Sequence, residues 1–159
     1  MPPRIDSTKV SPEAYRAMMG LEKYVHECGV ETSLLELIRI RASQINGCAY
    51  CLDMHSKDAL AAGETVQRLL VLNAWREAPF YSDRERAALA WTEALTLIAD
   101  NHVPDEVYNE TRQFFSEQEI VNLTLAVVAI NSWNRIAIGF RSAVGEYKSG
   151  MVASMLKKM

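Results

Sequence analysis

The chain has 159 residues, 49% of them hydrophobic and 23% charged, with a formal net charge of −3. That balance describes a globular chain with a real core, and it leaves no electrostatic footprint for nucleic acid. The longest unbroken apolar run, Leu125 to Ile130, is six residues, far short of the roughly 20 that span a bilayer. The start, Met1-Pro2-Pro3-Arg4-Ile5-Asp6, lacks the apolar core of a signal peptide.

In chain order the sequence reads as helices with short punctuation, and no strand-like alternation is sustained between turn signals. Residues 1–10 read as an N-terminal arm. Ser11-Pro12-Glu13 is a helix start, with a cap residue followed by proline at the first helical position. Ala14, Met18, Leu21 and Val25 follow at helical spacing until Gly29 stops the run. Thr32 or Ser33 caps a second helix, with Leu34, Leu35, Ile38, Ala42 and Ile45 on its apolar side. Asn46-Gly47 is a turn signal, and a third helix runs to about Ala62-Gly63. Glu64 to about Asn73 reads as a short fourth helix, and Trp75 to Tyr81, with Pro79, as a loop. Ser82 or Asp83 caps a fifth helix, with Ala87, Trp91, Ala94 and Ile98 inward. Pro104 opens a sixth that ends near Phe115. Ser116 with Glu119 is a capping-box signature for a seventh. The expected fold class is therefore all-α, one domain over residues 1–159 with about seven helices.

The last of these helices is apolar on almost every side from Ile120 to Asn131. Such a helix is either central to the core or lies at a subunit interface. The group Asn131-Ser132-Trp133-Asn134 is expected to break it, with helix resuming to about Gly145. If Asn131, Asn134 and Arg135 are buried, they need polar partners.

The chemistry concentrates in Gly47-Cys48-Ala49-Tyr50-Cys51-Leu52-Asp53-Met54-His55. On a helix, positions 48, 51 and 55 stack on one face. A Cys-x-x-Cys pair cycles between dithiol and disulfide, and a histidine one turn on can move the proton this requires. Cys48 falls at the expected helix start, where free N–H groups favour a thiolate. Glu36 lies about ten residues before the turn, roughly 15 Å of helix, and His55 about eight residues after it, roughly 12 Å. If the two helices fold back on one another, Glu36 and His55 come level, and a carboxylate there would orient the imidazole. A carboxylate inside Leu34-Leu35-Glu36-Leu37-Ile38 is otherwise simply solvated.

Cys-x-x-Cys is also half of a zinc site, and His26, Cys28 or His55 offer the remaining ligands. Cys28 alone reads as a small apolar residue at a helix end, and His26 and His102 as surface or capping residues. Three cysteines, with only two close in sequence, do not make a secreted disulfide scaffold. A reducing, cytoplasmic setting fits a working pair better.

The pattern Glu36…Cys48-x-x-Cys51-x-x-x-His55 resembles the signature of the alkylhydroperoxidase D family, which belongs with the carboxymuconolactone decarboxylase-like proteins. The surrounding segment from Glu36 to Cys48 agrees, as do Trp75-Arg76-Glu77-Ala78, Glu85 to Ala90, and Asn131 to Arg135. The resemblance implies an AhpD-like all-helical fold, a homotrimer or hexamer, and a peroxidase acting on hydrogen peroxide or organic hydroperoxides. It implies that Cys51 attacks the peroxide, that Cys48 resolves the sulfenic acid, and that Glu36 and His55 relay the proton. An external dithiol, thioredoxin-like or lipoyl-type, would reopen the disulfide, with no metal or organic cofactor required. The best-known members carry a second histidine between the cysteines. This chain has Ala49-Tyr50 there, and Tyr50 offers only a phenolic hydroxyl. The family's decarboxylases look like they share the fold without the Cys pair, so a decarboxylase acting on a small lactone or acid is the alternative enzyme reading, and a general disulfide reductase a further one.

Overall fold

The computed structural model describes residues 2–157; positions 1, 158 and 159 of the expected domain lie outside the described residues. Among the described residues there are ten α-helices and no strand. They are α1 (Ser7–Val10), α2 (Pro12–Glu27), α3 (Thr32–Asn46), α4 (Ala49–Ala61), α5 (Val66–Leu70), α6 (Asp83–Thr96), α7 (Ile98–Asn101), α8 (Asp105–Thr111), α9 (Glu117–Phe140) and α10 (Met151–Leu156). The helices beyond the seven read from sequence are short. α1 is a single turn within the expected arm, capped by Asp6. α7 follows a break at Leu97, and α10 follows an irregular stretch after Arg141.

α3 is the central element. Every residue from Leu34 to Ile40 is buried, because α3 packs against α4, α6 and α9 together. Leu35, Ile38 and Val25 meet Trp91, Leu123 and Val127 in one cluster. On another side Leu37 and Ile40 meet Leu72, Trp75 and Leu89. Burying each such aliphatic side chain stabilises the fold by about 1.5–3 kcal/mol.

Several boundaries and faces differ from the sequence reading, each for a physical reason. α2 buries Met19, Glu22 and Val25, whereas Ala14 is exposed and Met18 and Leu21 are half-buried. The inward stripe is shifted because it includes a glutamate, which apolar periodicity does not count. Ile98 is exposed because α6 ends at Thr96 before the turn at Leu97. α8 ends at Thr111 rather than near Phe115. The capping box at Ser116 and Glu119 is present, with both reciprocal bonds made.

The largest correction concerns α9, which runs unbroken through Asn131–Asn134 to Phe140 and does not continue to Gly145. The asparagines do not break the helix because they find partners across it. Asn131 Nδ2 donates to the Val127 carbonyl within the helix and to Thr96 Oγ1. Asn134 Nδ2 donates to Ser43 Oγ at 3.0 Å. Asn46 Nδ2 donates to Asn131 Oδ1 at 3.0 Å and to Asn134 Oδ1 at 2.8 Å. α9 is 24 residues and apolar enough to cross a bilayer by length and composition. Its buried side, including Leu123, Val127 and Ile130, instead forms core with α2, α3, α4 and α6, while Val121 and Val128 stay exposed.

Candidate active site

The turn between α3 and α4 is built for close control of a cysteine. Gly47 takes φ 68° and ψ 34°, a left-handed conformation that glycine adopts without Cβ strain. The Gly47 N–H donates to the Gln44 carbonyl at 3.3 Å and the Cys48 N–H to the Ser43 carbonyl at 3.0 Å, which is the Schellman pattern. Asn46, one residue earlier, is tied to α9 through the two asparagines. Cys48 therefore sits at the N-cap of α4, and its sulfur accepts the Cys51 N–H at 3.3 Å.

Cys48 and Cys51 are joined as a disulfide with Cα atoms 5.4 Å apart. Both are buried and pack with Ala42, Ile130 and Ala137, with Tyr50 against them. Only Cys51 lines the adjoining cavity of about 460 Å³, which it shares with Glu36, His55, Tyr15, Tyr50 and Trp133.

α4 folds back along α3, so Glu36 and His55 lie level. His55 Nδ1 is 2.9 Å from Glu36 Oε2. Burial pushes the Glu36 carboxyl up, but the hydrogen bond and charge of His55, and then Arg39, outweigh it and hold the carboxyl below its ordinary range. An ionised carboxylate only accepts, so Nδ1 carries the hydrogen of this bond and Nε2 is the ring nitrogen left to exchange a proton.

Behind this pair lies a charged chain that the sequence reading passed over. Arg39 Nη1 donates to Glu36 Oε1 at 2.6 Å, and Arg39 Nη2 donates to Glu22 Oε1. Trp133 Nε1 closes the chain on Glu22 Oε2 at 3.1 Å. All three charged residues are buried. Burial opposes the Arg39 charge, yet the flanking Glu22 and Glu36 carboxylates raise its affinity for the proton. Two carboxylates against one guanidinium leave one buried negative charge, which an imidazolium at His55 would neutralise. One sequence signal was available: Arg39 interrupts an apolar run three residues after Glu36, the spacing of a same-face pair. Nothing local marks Glu22 as its second partner.

Segments near both ends of the chain line the cavity. Ser7 and Thr8 reach it from α1, and Val152, Ala153 and Leu156 from α10. Asp58 of α4 holds the returning segment. Its carboxylate accepts from Tyr147 Oη at 2.7 Å, Ser149 Oγ at 2.7 Å and the Gly150 N–H at 3.0 Å. The zinc set is not assembled: among the described residues no three His, Cys, Asp or Glu side chains are grouped to hold a metal ion. Cys28 is the C-cap of α2 and its thiol donates to the Val25 carbonyl. His26 is exposed at the cavity edge, and His102 caps α7 in the left-handed region.

The sequence pattern of the carboxymuconolactone decarboxylase family matches residues 12–94, a span that holds Glu36, Cys48, Cys51 and His55. An uncharacterized protein of Bacillus subtilis, YdfG, is 46% identical over 138 residues, covering 87% of this chain and 94% of its own. A solved structure of a protein of unknown function from Agrobacterium tumefaciens, provisionally named the antioxidant defence protein AhpD, superposes with a TM-score of 0.89 at 46% identity, over 92% of this chain and 100% of that one. The debrominase Bmp8, at 22% identity and a TM-score of 0.79 over 96% of this chain and 80% of its own, shares the fold. The match of the family pattern across the cysteine-bearing helices, together with relatives of nearly full length, makes this chain an AhpD-like member of the carboxymuconolactone decarboxylase family.

Proposed function

We propose that the protein is a thiol-dependent peroxidase that reduces hydrogen peroxide or organic hydroperoxides through a Cys48/Cys51 dithiol–disulfide cycle. The observation that carries this reading is Cys51 on the wall of a cavity shared with the buried Glu36–His55 pair. In the reduced protein, His55 takes the Cys51 proton and the thiolate attacks the terminal peroxide oxygen. The S–O bond forms as the O–O bond breaks, giving Cys51 sulfenic acid and an alcohol, or water from hydrogen peroxide. The Cys48 thiol then displaces hydroxide, which leaves as water, and the disulfide closes. An external dithiol, thioredoxin-like or lipoyl-type, attacks Cys51 from the cavity and expels Cys48. Cys48 is suited to leave, because its sulfur at the N-cap faces the Cys51 N–H and the positive end of α4. A reducing cytoplasm is the compartment in which such a cycle is reset.

The test is a titration of the fully reduced chain with tert-butyl hydroperoxide. One equivalent is expected to be consumed per chain, with Cys48 and Cys51 converted to a disulfide by peptide mass spectrometry and Cys28 left alkylatable. Persistence of the hydroperoxide with both thiols still alkylatable overturns the reading. A decarboxylase would keep its turnover without either cysteine.

The assembly belongs to the same proposal. α9 leaves Val121 and Val128, seven residues apart on one face, 56% and 45% exposed, and a second copy would cover them. Light scattering coupled to gel filtration is expected to give three or six times the 17.9 kDa chain mass; a monomer peak at micromolar concentration refutes it.

A further inference from the structure

Tyr50 and Tyr15 face the same cavity as Cys51 and His55, and their hydroxyls stand apart from the other tyrosines of the chain. The Tyr24 hydroxyl donates to Asn122 Oδ1 at 2.8 Å, the Tyr81 hydroxyl to the Arg68 carbonyl at 2.5 Å, and the Tyr147 hydroxyl to Asp58. Tyr108 lies at the surface. Tyr15 and Tyr50 are half-buried, and among the described residues neither hydroxyl is engaged by a protein partner. The carboxylates around the cavity do not take them either. Glu22 and Glu36 are held by Arg39, and Asp58 by the segment before α10.

The placement of the two rings is specific. Tyr50 immediately precedes Cys51 in the first turn of α4 and packs against the disulfide cluster. Tyr15 packs edge-on against Trp133, ring centres 5.7 Å apart. Trp133 is itself fixed by Glu22, so the charged chain behind Glu36 also sets the Tyr15 ring. Burial, then the charge of Asp53, raises the Tyr50 proton affinity above its ordinary value. Burial, then Tyr50, does the same for Tyr15. Both groups therefore remain O–H donors across the physiological range.

We infer that Tyr50, with Tyr15, supplies the hydrogen-bond donors that hold the hydroperoxide oxygens against Cys51 and stabilise the charge departing on the alkoxide. This rests on the peroxidase reading above. Attack by the Cys51 thiolate forms the S–O bond and breaks the O–O bond, and the electron pair leaves on the alkoxide oxygen. That oxygen is a poor leaving group unless donors meet its charge as it develops. The proton lifted from Cys51 by His55 neutralises it, so the phenols donate hydrogen bonds without losing their own protons. Thiol plus hydroperoxide gives sulfenic acid plus alcohol, with sulfur oxidised and the peroxide oxygen reduced.

Tyr50→Phe, Tyr15→Phe and the double variant keep both rings and remove the hydroxyls. Two rates are read on each reduced full-length chain: Cys51 alkylation by iodoacetamide, and Cys51 oxidation by tert-butyl hydroperoxide. Each single variant is expected to slow oxidation roughly tenfold and the double roughly a hundredfold, with alkylation within about twofold of wild type. Peracetic acid, which releases a carboxylate that needs little help, is expected to react with the double variant within about threefold of wild type. Oxidation of the double variant by tert-butyl hydroperoxide at the wild-type rate overturns the inference and leaves the peroxidase reading standing. So does an equal loss in all three reactions, which would place the phenols in thiolate formation or packing. A wild-type chain inert to every hydroperoxide removes the peroxidase reading itself, and this inference with it.

Discussion

Cys51→Ser is expected to lower hydroperoxide consumption by roughly three orders of magnitude or more, as removal of a working nucleophile does. A serine hydroxyl lacks the polarisable, readily ionised sulfur that attacks oxygen, and among the described residues no other thiol lines the cavity. Cys48→Ser has a different signature. It is expected to consume one equivalent in a burst and then stop, with a sulfenic acid on Cys51 that dimedone traps. The asymmetry follows from the turn geometry, which places Cys48 at the N-cap behind the cavity wall and Cys51 on it. Cys28→Ser is the control, because its thiol is engaged with the Val25 carbonyl at the far end of α2. A Cys51→Ser chain that consumes hydroperoxide at the wild-type rate would sink the assignment, and a burst in that variant with none in Cys48→Ser would exchange the two roles.

Arg39→Ala is expected to destabilise the fold by about 3–5 kcal/mol, because it leaves two buried carboxylates without their cation. At roughly 2–4 °C per kcal/mol for a chain of this size, the melting temperature falls by about 10 °C. Replacing the whole buried set by apolar residues, as Glu22→Leu/Arg39→Met/Glu36→Leu, is expected to recover much of that stability while peroxidase turnover falls with the loss of the Glu36 carboxylate, separating the chain's role in the site from its role in the fold. The pH dependence has a definite sign. The Glu36 carboxyl is held below its ordinary range. Its contribution is therefore complete above the unfolded carboxylate pKa of about 4.3 and is lost as pH falls through the lower folded value. Thermal melts across that acid range check it. An Arg39→Ala melt within about 2 °C of wild type would show that the buried charges are satisfied by other means.

How much of this was legible in the sequence depends on where each signal resides. The turn at Asn46-Gly47 is local: a left-handed glycine after an apolar helix fixes two antiparallel elements, and counting rise along each puts Glu36 opposite His55. The cap at Ser82 and the capping box at Ser116 are equally local, although the reciprocal bond of Glu85 that makes Ser82 a second box appears only in the structure. What could not be read locally was pairing between distant residues. Asn131 and Asn134 look like a helix break when read alone and become helix interior once Asn46 and Ser43 supply their bonds. Glu22 looks solvated when read alone and turns inward because Arg39 stands across from it. α10 carries only six residues and little pattern, and its position depends on Asp58, some 90 residues earlier in the chain.

Asp58 joins two regions of unequal standing. The family pattern matches residues 12–94, a span that contains the residues proposed to react, whereas the walls contributed by Ser7, Thr8 and α10 lie outside it. Reactivity and admission thus have separate addresses in the chain. A substitution in either terminal segment would reshape the cavity wall while the two central helices keep their thiols, imidazole and carboxylate in register, so on the peroxidase reading the size of the substrate can be tuned apart from the chemistry.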